Sequence, residues 1–152
     1  MQKYWYYQQL SQMFDVGAVF RHSTSSLGDP EMTWTYGKKP QLIAAAARNA
    51  DGTWAVGLAN FTHASFTDRR DNDDQKGFPA EAFDVTVVIE ELRATDNLTL
   101  QMHRSNHGFN NRPAGTITLT HGRVTVCDVA PCDLITLRAS RSQGVEESKT
   151  VP

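Results

Sequence analysis

The chain has 152 residues, 39% of them hydrophobic, with 15 Lys and Arg against 17 Asp and Glu for a formal net charge of −2. That length suits one domain burying roughly two-thirds of its unfolded surface, and the charge balance leaves no cation excess to follow a phosphate backbone, which argues against a nucleic-acid partner. No run of about 18 apolar residues exists to span a bilayer as a helix, so no membrane partner is expected, and the Gln- and Tyr-rich N-terminus lacks the basic and apolar regions of a signal peptide.

Tyr6, Leu10 and Met13 recur at helical spacing, with Tyr7 and Phe14 widening the stripe, while Gln8, Gln9, Ser11 and Gln12 fall mostly elsewhere. The pattern predicts one amphipathic helix over residues 1–15. Gly17 stops it, and Ala18–Thr24 has the apolar and β-branched content of a first strand. A loop follows over 25–30, then the short segment Met32–Tyr36, in which Trp34 and Tyr36 share a face.

The four alanines at 44–47 favour helix by propensity, but the run begins just after Pro40 and stops at Asn49-Ala50-Asp51-Gly52. Beyond that turn, Trp54, Val56 and Leu58 alternate on one face, so residues 40–61 read as a hairpin with Trp54 in the core. Phe83–Leu92 and Leu98–Arg104 read as two further strands, Thr116–Thr120 and Arg123–Val129 as a pair around His121-Gly122, and Leu134–Ala139 as the last. Short strands separated by turn signals place the chain in the all-β class: an antiparallel β-sandwich of about eight or nine strands, Greek-key-like, over residues 16–140. Residues 68–79 and 105–115 read as loops, and the polar stretch 141–152 as a flexible tail.

Chemistry-bearing patterns are sparse. Glycoside hydrolysis needs two carboxylates across a scissile bond, yet Glu90 and Glu91 fall on opposite faces of a predicted strand, and Glu81, Asp84, Asp128 and Asp133 read as solvated groups beside turns or strand ends. The acidic loop 68–77 has Lys76 where a calcium loop needs glycine. His103 and His107 do not share a helix, and Cys127 and Cys132 read as free, packed thiols. No catalytic residue, metal or cofactor is therefore expected. Asn60-Phe61-Thr62 and Asn97-Leu98-Thr99 match the glycan-acceptor triplet but carry no weight alone. Trp34 and Tyr36, with His107 and Phe109, are the candidates for stacking on a sugar, the plainer reading of the first two being that they cover a sheet edge. Trp5, Tyr6, Tyr7 and Leu10 would leave a lone helix with an uncovered apolar patch, and such patches usually mark an interface.

Several segments together resemble the C-terminal region of family 30 glycoside hydrolases and related barrel enzymes. In that family a Tyr-rich helix, the last of a (β/α)8 barrel, enters a sandwich through a turn matched here by Phe14-Asp15-Val16-Gly17-Ala18-Val19-Phe20-Arg21, with Val16 where proline is usual. The strand pair Leu42–Asn60 resembles the unit that follows, and Ala130-Pro131-Cys132-Asp133-Leu134-Ile135-Thr136-Leu137 resembles the closing segment, with Cys132 in the usual serine position. The resemblance implies a non-catalytic accessory sandwich whose partner is the catalytic barrel of the same parent chain, exported to the periplasm or cell exterior by a signal outside this sequence. Both catalytic glutamates of such enzymes lie in the barrel. An independent carbohydrate-binding module is the alternative, and expressed alone the chain would be prone to dimerise through the helix.

Overall fold

The computed structural model describes residues 2–26, 41–62 and 79–139. The elements in order are helix α1 (Gln2–Met13) and strands β1 (Val19–Arg21), β2 (Leu42–Arg48), β3 (Trp54–Asn60), β4 (Phe83–Val88), β5 (Asn97–Ser105), β6 (Arg112–Thr120), β7 (Arg123–Val129) and β8 (Leu134–Ala139). The eight strands form one antiparallel sheet in the order β1-β2-β3-β8-β5-β6-β7-β4, curled so that its ends face each other across a shared core. The expected all-β class with one preceding helix is what the chain adopts. The last strand, β8, sits in the middle of the sheet, joining β3 at Val56↔Leu137 and β5 at Met102↔Leu137.

The curl has a local origin. β6 and β7 are paired only at Thr120↔Arg123, beside the two-residue turn His121-Gly122. Both turn residues have positive φ, 47° and 73°, the condition for the type I′ turn that matches strand twist. Beyond that pair the β4–β7 ribbon swings over the core. Gly122 is obligatory: a Cβ there would lie 2.5 Å from Ile89 O and 3.0 Å from Arg93 N.

Strand alternation places Trp54, Val56 and Leu58 inward with Leu100, Leu119, Val124, Val126, Ile135 and Leu137. The alanines of β2 do form a strand. Ala44 and Ala46 line the core beside Leu58 and Val56, while Ala47 on the opposite face is fully buried next to Ala55. Small residues suit that second face because α1 lies across it, and the side chains of Phe14 and Leu10 come within 3.6 and 3.9 Å of where a Gly57 Cβ would be.

Several boundaries differ from the sequence reading. The fourth strand ends at Val88, and Glu90–Leu92 form a turn of 3-10 helix, so Glu90 and Glu91 do not sit on opposite strand faces. Arg93 pairs with Glu90 across this turn, and Ile89 N bonds Gly122 O, which ends the ladder. β1 spans only Val19–Arg21 of the expected Ala18–Thr24. β6 starts at Arg112, inside the expected loop, because an irregularity in its pairing with β5 between Gln101 and His103 lets the ladder continue to Arg104↔Arg112. Asp133 is not solvated: it is 2% exposed and held by donors described below. Asn60 is likewise buried, its amide donating to Glu81 O and Val129 O at 2.8 Å, so that triplet is no glycan acceptor. Both cysteines are free, as expected, but only Cys132 is buried; Cys127 is exposed because it points outward from β7.

Candidate functional site

Helix α1 is fixed to the sheet by polar groups as much as by apolar ones. Gln9, which the amphipathic pattern assigned to the polar side, is fully buried. Its Nε2 donates toward His103 O and Leu134 O, both at 3.1 Å, and Thr136 Oγ1 at 3.0 Å, while its Oε1 accepts from the Ser105 hydroxyl. Tyr6 donates its hydroxyl to Cys132 O at 3.1 Å. Burial, then the negative charges of Cys132 and Asp133, push the Tyr6 phenol above its ordinary pKa.

The C-terminal end of the helix is closed from outside. A helix leaves its last carbonyls without partners; here Asn49, in the β2–β3 turn, donates to Met13 O at 3.1 Å, and Arg138 donates to Gln12 O at 2.8 Å. Asn49 Oδ1 accepts from Asp15 N, and Arg138 also pairs with the carboxylates of Asp15 and Asp51. The hydrogen bonds that Arg138 donates to Asp15 hold its guanidinium above its usual pKa.

What this anchoring leaves outward is distinctive. Among the described residues seven large hydrophobics are exposed, and five of them, Tyr4, Tyr7, Val16, Val19 and Phe20, lie on α1, the turn after it and β1. Tyr7 is 71% exposed. Trp5 is half-buried with its ring edge-on to Tyr4, and Phe20 stacks at a tilt on Phe14. Of the expected interface residues, Tyr6 and Leu10 touch the sheet, whereas Trp5 and Tyr7 lie at the outward side.

Next to the Cys132 carbonyl that Tyr6 holds, Asp133 organises the loop after β5. Its carboxylate takes Nε of Arg104 at 2.9 Å, a second bond from Arg104 Nη2, Asn106 Nδ2 at 2.8 Å and Ala130 N at 2.6 Å. The hydrogen bonds that Arg104 donates to Asp133 raise the Arg104 pKa. Asn106 Oδ1 accepts Gly108 N and Phe109 N, fixing a tight loop that holds out Phe109 and His107. The Arg112 guanidinium lies over the Phe109 ring, 5.5 Å from its centre. Trp34 and Tyr36 lie outside the described residues, as do the acidic stretch 68–77 and the tail 141–152.

A cleft of about 510 Å³ runs between the β1–β2 edge and β4, floored by Trp54, Val56 and Leu58 and rimmed by Arg21 and Glu91. Trp54 is buried in the core, as expected, with Arg21 over its ring. The described residues contain no cluster of three or more His, Cys, Asp or Glu that could hold a metal, and no helix there is long and apolar enough to cross a membrane. Sequence reasoning missed Gln9, Ser105 and Asp133, whose burial is set by partners far along the chain. No protein-family model matches this chain, and no curated protein matches it either.

Proposed function

We propose that this domain is the non-catalytic C-terminal accessory β-sandwich of a larger glycoside hydrolase of the family 30 type, packing against the catalytic (β/α)8 barrel of its parent through the outer side of α1 and β1. The observation that carries the reading is the concentration of exposed Tyr4, Tyr7, Val16, Val19 and Phe20 on one short stretch whose inner side is pinned to the sheet. Unpaired apolar surface of this kind marks an interface. α1 holds Lys3 as its one charged residue, which matches it to an uncharged partner surface rather than an ionic one. The resemblance of the turn after α1 and of the two strand units supports the choice of partner. In this role the domain braces the barrel, performs no hydrolysis itself, and is exported with its parent.

The test is the reading frame upstream of the Met1 codon. Continuation by about 250 residues, with glutamates at the ends of two barrel strands, supports the reading. A stop codon and ribosome-binding site immediately before Met1 overturns it.

A further inference from the structure

We propose that the loop 106–112 is a binding site for a uronic-acid residue of an acidic polysaccharide, with Arg112 taking the carboxylate and Phe109 the apolar face of the sugar ring. The inference goes beyond the accessory-domain reading and does not depend on it.

The loop is built before any ligand arrives. Asn106 accepts two backbone N–H groups, its own N–H bonds Phe109 O at 2.9 Å, and its amide is tied to the buried Asp133. At the other end Asn111 N donates to the buried Ser105 hydroxyl at 2.7 Å, and Asn111 Oδ1 lies 3.0 Å from His103 Nδ1. Pre-ordering of this kind removes much of the entropic cost of binding, and a buried carboxylate spent on an exposed loop is costly unless the loop's shape matters.

Arg112 is the second element. Its cross-strand partner Arg104 is neutralised by Asp133, and Arg138, Arg21 and Arg93 each have a carboxylate. The Arg112 side chain has no ion pair or hydrogen bond with a described residue; its guanidinium carbon lies 5.5 Å from the centre of the Phe109 ring. Without such a partner its N–H donors are unspent, and a guanidinium fork takes a carboxylate through two of them.

The surroundings select what carries that carboxylate. Phe109 is 37% exposed and offers apolar ring surface, and Asn110 stands exposed beside it with an amide suited to hydroxyls. A planar cation, an aromatic surface and an amide within one short loop match a pyranose bearing a carboxylate more closely than a neutral sugar, which would leave the fork unused.

The experiment is an amide-resolved NMR titration of the domain with tetragalacturonate, set beside its methyl ester, cellotetraose and a sulfated tetrasaccharide. The expected result is saturable shifts over 106–112 with the uronate, weakened by salt. Binding is expected to fall about tenfold or more with the ester or cellotetraose, and likewise in R112Q and F109A, since each removes a charge-assisted or stacking contact. R112K, which keeps charge without the fork, is expected to fall between. Spectra of R112Q elsewhere should match the parent domain, because Arg112 is exposed and unbonded. No shift with the uronate, equal shifts with its ester, unaltered binding by R112Q, or preference for the sulfated sugar would each overturn the assignment. None of these outcomes bears on the upstream reading frame, so the two proposals fail separately.

Discussion

Replacing Gln9 by leucine isolates what holds the helix to the sheet. The substitution keeps most of the volume and deletes the amide from a position with no solvent exposure. It strips a donor from His103 O, Leu134 O and Thr136 Oγ1, and an acceptor from the Ser105 hydroxyl. Each buried polar group left unpaired costs about 1–3 kcal/mol. The carbonyls retain a second lone pair for the ladder, and Ser105 still accepts from Asn111 N, so the expected loss is about 2–4 kcal/mol rather than the full sum. In a domain of this size that lowers Tm by about 5–15 °C. Urea unfolding followed by tryptophan fluorescence should show a lower midpoint at an unchanged slope. Gln9→Glu adds a pH axis. An oxygen in place of Nε2 would face two carbonyls, so the charged form is disfavoured and the folded-state pKa rises above the ordinary value of about 4.3. Its deficit against the parent domain is therefore smallest below the unfolded pKa and widens as pH rises toward the folded one. Gln9→Leu within about 0.5 kcal/mol of the parent, the range of ordinary surface changes, would refute the claim that this side chain anchors the helix.

Asp133→Asn should cost about 3–5 kcal/mol by leaving Arg104 without its buried partner, and amide exchange should show the loop 106–111 opening with it. Gly122→Ala and Gly115→Ala share positive φ, but the first meets backbone within 3.0 Å and the second meets nothing within 4 Å. Chemical denaturation should put the second near the general cost of about 1–2 kcal/mol for left-handed backbone and the first well beyond it; equal costs would contradict the close approach. Tyr6 titrates above its ordinary value of 10.0, so its hydrogen bond is fully present below the unfolded pKa and is lost as pH climbs through the folded one. Ultraviolet titration should show a late phenol that disappears in Tyr6→Phe. Tyr4→Ser with Tyr7→Ser should leave stability within about 0.5 kcal/mol while abolishing concentration-dependent self-association in light scattering; persistent association would place the contact elsewhere.

The elements readable in the sequence were those whose pattern is local. Trp54-Ala55-Val56-Gly57-Leu58 alternates cleanly, the turn at 49–52 combines Asn, Asp and Gly, and His121-Gly122 sits between two alternating runs, so the hairpins and their faces came out correctly. The alanine run was legible as strand because flanking residues outweighed propensity. Order in the sheet was not legible, because β8 between β3 and β5 depends on pairings such as Ala55↔Arg138 that no local pattern encodes. The same holds for Gln9 and Asp133. Their burial is decided by partners far along the chain, and each alone looks like an ordinary surface residue. Glu90–Leu92 left strand geometry because the backbone of Gly122 packs against it, again a contact from a distant segment.

Placing the final strand at the centre of the sheet also sets a schedule for folding. The β2–β3 and β5–β6 hairpins have near neighbours in sequence and can close as the chain leaves the ribosome, but the two halves share no ladder until residues 134–139 emerge between them. α1, which precedes all eight strands, lays Gln9 across that same strand. The two halves can therefore join only once β8 has been made, with high contact order and a correspondingly slow final step. Until then the alanine-lined face of β2 and β3 stays open to whatever chaperone or neighbouring chain it meets.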